Sequence, residues 1–367
     1  MSQIVPFNDL LRQNNALKDE LTDTSARVVA SGWYVLGTEN QRFEQEFSAY
    51  CGSDHTIGLA NGSDALELGL RALGVTSGSV VVTVANAGGY ATTAIRSIGA
   101  IPLYIDVTPD RFLLDQSKLG ALLDSHPVSA VVATHLFGRM CEMAQLMAIC
   151  TSRSIPVIED CAQAHGAVMA GRKAGTFGDL GCFSFYPTKN LGALGDGGAI
   201  VTSNSDISER VRSLRQYGWK NKYQIMMRGG RNSRLDEMQA AFLRVKLRYL
   251  DEWNIRRREI ATRYKLLLDN SKVTVPVHEC ESYVAHLFVV RCVDREALRE
   301  RLRAAGIGND IHYPIPDHHQ PGWRDLPGSD LSLPITEQLS KEILSLPCYP
   351  ELRDDEIDAV IRAVNGW

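Results

Sequence analysis

Between residues 55 and 205 short apolar runs alternate with helical patterns, and this alternation constrains the fold more than any other feature of the chain. Strand-like segments are Thr56-Ile57-Gly58-Leu59-Ala60, Val80-Val81-Val82-Thr83-Val84, Pro102-Leu103-Tyr104-Ile105, Ala130-Val131-Val132-Ala133 and Pro156-Val157-Ile158-Glu159. Strands separated by helices predict an α/β domain with a mainly parallel sheet. A chain of 367 residues has room for one large domain and a smaller companion. We place these at 1–248 and 249–367.

Ser233-Arg234-Leu235-Asp236 has the spacing of a capping box and predicts the start of a long helix. Its apolar residues fall at 235, 238, 242, 245, 249 and 253, a helical period. Beyond it the chain reads as an α+β unit, with a strand over His286-Leu287-Phe288-Val289-Val290-Arg291, a helix over 295–305 and a closing helix after Arg353. The Pro- and His-rich segment 311–321 is expected to be a loop.

The net charge is -4, which gives no reason to expect nucleic acid or an anionic membrane as partner. The eight cysteines, at 51, 141, 150, 161, 182, 280, 292 and 348, show no C-x-x-C pair and no zinc-like spacing. They predict reduced, buried thiols, no metal site and a cytoplasmic protein. The start Met1-Ser2-Gln3-Ile4-Val5-Pro6 has no signal-peptide pattern, and no apolar run is long enough to span a bilayer.

Lys189 lies in Ser184-Phe185-Tyr186-Pro187-Thr188-Lys189-Asn190-Leu191-Gly192, after a strand-like run and before Gly195-Asp196-Gly197-Gly198. Upstream, Ile155-Pro156-Val157-Ile158-Glu159-Asp160-Cys161-Ala162-Gln163 delivers Asp160 where a parallel strand should end, at the usual ligand-binding edge. A placed amine, a carboxylate and tight turns suggest pyridoxal phosphate, with Lys189 as Schiff-base lysine and Asp160 beside the pyridinium nitrogen. The bland reading of Glu159-Asp160 is the polar end of a strand. Gly62 and Ser63, in Ala60-Asn61-Gly62-Ser63-Asp64-Ala65-Leu66, open a helix whose free N–H groups suit phosphate; the same sequence also makes an ordinary βα turn. Gln163 could reach the ring hydroxyl and Ser184 the phosphate, or each could bond locally. Gly195-x-Gly197-Gly198 precedes a strand instead of opening a helix, so a dinucleotide loop is rejected.

From 210 to 234 there are eight Lys or Arg residues and no acid, interleaved with Tyr217, Trp219 and Tyr223. Such a run is either a solvated face or a site for an anion carrying rings. His312-Tyr313-Pro314 either closes over a substrate or forms a packing corner. Candidate substrate contacts are Tyr186, Tyr217, His312 and Tyr313.

Together the segments Gly62-Ser63-Asp64-Ala65-Leu66, Glu159-Asp160-Cys161-Ala162-Gln163-Ala164-His165-Gly166, Ser184 through Gly192, Gly195-Asp196-Gly197-Gly198 and Asn232-Ser233-Arg234-Leu235-Asp236 resemble the sugar-nucleotide aminotransferases that include DegT. The resemblance runs from about Pro6 to the C-terminal helix. It implies the aspartate aminotransferase (fold type I) architecture and pyridoxal 5'-phosphate. It assigns Lys189 to the Schiff base, Asp160 to the ring nitrogen, Gln163 to the ring oxygen, and Ser184 with the Gly62-Ser63 backbone to the phosphate. Asn232 is implied to reach the phosphate of a neighbouring subunit, making a homodimer with shared sites.

The Asn190-Leu191-Gly192 and Gly195-Asp196-Gly197-Gly198 forms, with Ile311-His312-Tyr313-Pro314-Ile315-Pro316, are similar to dTDP-3-amino-3,6-dideoxyhexose-forming members. The implied substrates are L-glutamate and a dTDP-linked 3-keto-6-deoxyhexose; the alternative is amination at C4. Two departures stand out. Asn86-Ala87-Gly88-Gly89-Tyr90 replaces an Asn-Thr-Phe/Tyr segment, leaving Tyr90 to stack on the cofactor, and Arg231 stands where relatives have an aromatic residue. Dehydratases of the same fold carry histidine in place of the lysine, and a regulatory protein on this scaffold has little support, since every expected cofactor contact is present and no appended nucleic-acid-binding domain is visible.

Overall fold

The computed structural model describes residues 4–276 and 281–367. Its centre is a seven-stranded sheet of β1 (His55–Leu59), β2 (Val80–Thr83), β3 (Ile101–Tyr104), β4 (Val128–Thr134), β5 (Val157–Asp160), β6 (Leu180–Ser184) and β7 (Gly198–Thr202). The spatial order is β1-β7-β6-β5-β4-β2-β3. Only β7 runs antiparallel to its neighbours, β1 and β6. The sheet is thus mixed but mostly parallel, and the predicted strands all take part in it.

Side-chain alternation along a strand sorts each run into two layers. Val131, Ala133 and Val157 join one buried cluster, whereas Ala130, Val132 and Ile158 join the cluster on the other face. Burial on both faces explains why these strands read as continuous apolar runs. Parallel polarity also carries the ends of β4, β5 and β6 to one edge, with Thr134 in register with Asp160 and Asp160 with Cys182.

The C-terminal part holds a three-stranded antiparallel sheet of β8 (Val273–Thr274), β9 (Phe288–Cys292) and β10 (Ile343–Leu346), with β9 in the middle. The expected helices appear as Arg295–Ala304 and Asp354–Asn365. Val5, from the start of the chain, packs into the same core and pairs with Ile307. Segment 311–321 is a loop carrying one turn of 3-10 helix at Asp317–His319, with a second beginning at Pro321.

The predicted long helix is two helices, Glu237–Leu247 and Leu250–Leu267, and Ser233 does not cap it. Ser233 is buried, its N–H donates to Arg215 O at 3.0 Å, and its hydroxyl accepts from Ala60 N at 3.2 Å. Those bonds hold the backbone extended until Asp236, so the helix begins three residues later than the sequence pattern suggests. Glu237 instead caps a different helix. Its buried carboxylate accepts from the N–H groups of Gly37, Glu39 and Asn40 at 2.8 to 2.9 Å, at the head of Thr38–Cys51, where Gly37 offers no side chain. The apolar stripe survives the break: Met238, Phe242, Val245, Tyr249 and Trp253 pack with Leu17 and Leu21.

All seven cysteines among the described residues are free and buried; Cys280 lies outside the described residues. No described helix is long and apolar enough to cross a membrane.

Candidate active site

A cavity of about 770 Å³ opens at the sheet edge where β4, β5 and β6 end. Gly62, Ser63, Tyr90, Asp160, Gln163, Ser184, Tyr186, Lys189, His312 and Tyr313 all line it. Ten of the twelve sequence-predicted residues therefore meet in one place. Tyr217 and Asn232 do not line the cavity. Tyr217 meets Trp219 with ring centres 5.0 Å apart and tilted by 40°, beside an exposed hairpin, and Asn232 is exposed and bridges Gln216.

The lysine is presented by a loop with little freedom. Phe183 and Phe185 are buried against Phe47, so Ser184 between them points the other way. Lys189 N donates to Tyr186 O at 2.8 Å, and Gly192 lets the chain fold back, since a Cβ there would sit 2.3 Å from Pro187 O. Burial pushes the Lys189 ammonium down to about 8, with the charge of Asp160 acting in the other direction.

Glu159 and Asp160 are neighbours with opposite fates, because successive side chains on β5 face opposite ways. Asp160 lines the cavity: burial raises its carboxyl, while the Ala162 N–H at 3.1 Å and the Lys189 charge work against that. Glu159 is fully buried and accepts from Gly175 N, Phe177 N and Gly178 N at 2.6 to 3.0 Å. Burial would raise it too, but His135 and these amides hold it below the usual carboxylate range. Cys141 N–H donates to His135 Nδ1 at 3.1 Å, so the ring is the neutral Nε2–H tautomer and donates to Glu159 at 2.9 Å. Glu159 is thus committed to the fold, and Asp160 is the carboxylate left for a ligand.

The helix Gly62–Ala72 opens onto the cavity with Asn61 as its cap, whose side chain accepts from Asp64 N at 2.8 Å. The Gly62 and Ser63 N–H groups remain at the helix mouth, where partial positive charge gathers. Gly62 lies against Ser184; a Cβ at Gly62 would meet Ser184 Cβ at 2.6 Å. Gln163 accepts from Phe137 N and donates to the Tyr313 hydroxyl at 3.1 Å. Tyr313 in turn meets Tyr90 edge-on, with ring centres 6.1 Å apart, and covers Gly88, where a Cβ would come within 2.8 Å of its ring. The Gly88-Gly89 departure therefore makes room for aromatic rings from the C-terminal loop. His312 stacks on Phe7 at 5.7 Å, and its Nδ1 lies 2.9 Å from Ser345 Oγ.

The basic run is partly consumed within the chain. Arg212 and Arg215 pair with Glu44 at 3.0 and 2.6 Å, and Arg231 pairs with Asp64 at 2.7 Å and Glu67 at 2.8 Å. The sequence reading missed the opposite wall, made by Arg257, His286, Leu346 and Cys348. It also missed that Asn190 ties the lysine loop to that wall, through His286 Nδ1 at 2.9 Å and Asn254 at 2.9 Å.

Comparison with protein families matches residues 15–365 to the DegT/DnrJ/EryC1/StrS aminotransferase family. The chain belongs to this family. It is 42% identical over 364 residues to the erythromycin biosynthesis sensory transduction protein EryC1 of Saccharopolyspora erythraea, covering 99% of each chain. It is also 42% identical over 365 residues to the dTDP-3-amino-3,6-dideoxy-alpha-D-galactopyranose transaminase of Aneurinibacillus thermoaerophilus, again covering 99% of each. Among solved structures, S. venezuelae DesV in complex with a ketimine intermediate superposes with a TM-score of 0.95 at 40% identity, over 99% of this chain and 98% of that one. The fold is the aspartate aminotransferase architecture, the protein is an aminotransferase, and its cofactor is pyridoxal phosphate. The residues present fit that group: a half-buried lysine, a buried carboxylate facing it, and a side-chain-free cradle at Gly62.

Proposed function

We propose that this aminotransferase moves an amino group from L-glutamate to the 3-keto carbon of a dTDP-linked 3-keto-6-deoxyhexose, giving a dTDP-3-amino-3,6-dideoxyhexose. The observation that carries the aminotransferase half of this reading is the convergence of Lys189, Asp160 and the Gly62 helix mouth on one cavity. Support for the sugar comes from relatives named as dTDP-3-amino-3,6-dideoxygalactose and dTDP-3-amino-3,4,6-trideoxyglucose transaminases, at 42% and 40% identity.

Bound pyridoxal phosphate supplies an electron sink for a carbanion at the donor α-carbon. In this reading Lys189 Nζ first holds the cofactor covalently and, once displaced, takes the proton from that carbon. Its pKa, lowered to about 8, leaves about a tenth of the amine neutral at pH 7, a few hundred times more than an ordinary lysine. Asp160 holds the ring nitrogen protonated, which lets the ring accept electrons. The Gly62 and Ser63 N–H groups and the Ser184 hydroxyl take the phosphate, and Gln163, steadied by Tyr313, takes the ring oxygen. Tyr90 stacks on the cofactor ring, and Tyr186, His312 and Tyr313 form the substrate side.

Tyr217 and Asn232 are assigned to the neighbouring subunit's site in a cytoplasmic homodimer. The hairpin Trp219–Asn221 and Gln224–Ile225 supports this, since it leaves Tyr223 78%, Ile225 64% and Met226 62% exposed on the lone chain. Sedimentation at assay concentration is expected to give a dimer; an active monomer would refute the shared site. We take 1–248 as the cofactor-binding unit and 249–367 as the unit that closes the far wall.

The test of the reaction is to offer the holoenzyme L-glutamate with dTDP-linked 3-keto-6-deoxyhexose and, separately, the 4-keto isomer, and to locate the new amine by NMR. Amine at C3 from the first substrate is expected. Amine at C4, with the 3-keto sugar untouched, would overturn the assignment.

A further inference from the structure

The helix Gly62–Ala72, whose mouth is assigned above to the cofactor phosphate, carries a polar stripe of Asp64, Glu67 and Arg71. Asp64 is 8% and Glu67 3% exposed, and carboxylates buried to that degree need a cation. Glu67 has Arg71 of its own helix at 2.9 Å and the Ser97 hydroxyl at 2.7 Å. Asp64 has no partner on its helix. Its ion pair among the described residues is with Arg231, whose Nη1 lies 2.7 Å from Asp64 Oδ1 and whose Nη2 lies 2.8 Å from Glu67 Oε2. One guanidinium thus bridges two acids a turn apart. It is offered by a segment whose backbone is itself held, since Arg231 N donates to Leu214 O at 2.9 Å and Arg231 O accepts from Tyr217 N at 3.1 Å.

We infer that Arg231 is a positioning residue of the cofactor site, which holds and neutralises Asp64 so that the Gly62 and Ser63 N–H groups stay free for the phosphate. The inference rests on the assignment of the phosphate to that helix mouth. Asp64 is the third residue of the helix after its cap Asn61, the position from which an acidic side chain commonly turns back to an N–H at the mouth. A carboxylate there also competes with a bound anion for the partial positive charge of the first turn. In this chain the Asp64 carboxylate accepts from Arg231 instead. The stripe then balances, two acids against Arg71 and Arg231. Without Arg231 one uncompensated negative charge would remain in the turn that must receive a phosphate dianion. Arg231 does not line the cavity, so its action passes through Asp64 and not through contact with the cofactor. Its side chain is 41% exposed, and solvent screening keeps the effect modest.

The test is the affinity of the apo-protein for pyridoxal phosphate and for pyridoxal, which lacks the phosphate, measured by equilibrium dialysis on the wild type, Arg231→Gln, Asp64→Asn and the double variant. Arg231→Gln is expected to bind pyridoxal phosphate about five- to tenfold more weakly and pyridoxal as the wild type does. Asp64→Asn should bind pyridoxal phosphate at least as tightly as the wild type. Added to Arg231→Gln, it should restore the lost affinity, because the charge that Arg231 neutralises is then gone. A double variant as weak as Arg231→Gln would overturn the inference, since Arg231 would then act through the shape of its segment and not through Asp64. An Arg231→Gln loss shared equally by pyridoxal would overturn it as well. Gly62→Ala separates the two layers of the argument. Weaker pyridoxal phosphate binding in Gly62→Ala with none in Arg231→Gln would sink the role of Arg231 alone, and unchanged binding in both would sink the phosphate assignment itself.

Discussion

The cavity wall supplied by the central sheet and the wall supplied by the C-terminal part hold their charges in different ways. On the sheet side, Asp160 and Lys189 oppose each other, and each shifts the other's proton affinity. On the C-terminal side, Arg257 has only backbone carbonyls for company. A wall whose charges balance internally is prepared for chemistry, in which protons move between its own groups. A wall whose guanidinium is bonded to backbone carbonyls holds segments of the chain in place, and through Asn190 and His286 it braces the lysine loop. The comparison predicts that substitutions on the sheet side lower the rate of the chemical step, and that substitutions on the other side act through the placement of the lysine loop.

The largest effect is expected from Lys189→Ala. Loss of both the covalent anchor and the proton carrier should lower turnover by about 10⁴-fold or more, with the fold intact by circular dichroism. Activity within tenfold of wild type would break the account of the sheet wall. Asp160→Asn keeps the shape and removes the charge, and should slow the chemical step by about 10² to 10³-fold while cofactor remains bound. Single-turnover absorbance measurements separate these two outcomes. Gly62→Ala is a steric test: a Cβ 2.6 Å from Ser184 Cβ forces the helix mouth open, and overpacking of this kind costs about 1 to 3 kcal/mol. Cofactor affinity, measured by equilibrium dialysis, should fall about tenfold or more; unchanged affinity would mean that the phosphate does not sit there.

The smallest effect, and the sharpest on mechanism, is the pH dependence of cofactor uptake by the apo-protein. Only the neutral amine of Lys189 attacks the aldehyde, and burial lowers its value from the usual 10.5 to about 8. Uptake should rise with pH, about tenfold per unit, and level off near 8. Between about 8 and 10.5 the unfolded chain holds a proton on this lysine that the folded chain does not. Its contribution to stability therefore increases as pH rises through that window. A plateau reached only near 10.5 would show that the lysine is not desolvated.

The same contrast explains what could be read from the sequence. Strands buried on both faces announce themselves as apolar runs, and parallel polarity sends their ends to one edge. Asp160, Ser184 and the Gly62 turn were therefore legible as a group, and Lys189 followed from the loop after β6. The far wall left no such trace. Arg257 sits in Arg256-Arg257-Arg258, which as sequence looks like a solvated helix face, and only the helix's packing on Ala285 and Cys348 turns the middle arginine inward. Ser233 shows the converse error. Its spacing to Asp236 satisfies a capping pattern, but tertiary bonds to Ala60 and Arg215 claim its hydroxyl and its N–H. Asn232 and Tyr217 lie outside the cavity of their own chain; a motif suggests a side chain's chemistry but does not say where the fold places it.

The central claim, that this cavity holds pyridoxal phosphate on Lys189, is tested most directly by borohydride reduction of the holoenzyme followed by peptide mass spectrometry. The account predicts a single reduced adduct on the peptide containing Lys189, absent in Lys189→Ala. An adduct on another lysine, such as the equally perturbed Lys246, with Lys189 unmodified, would contradict it.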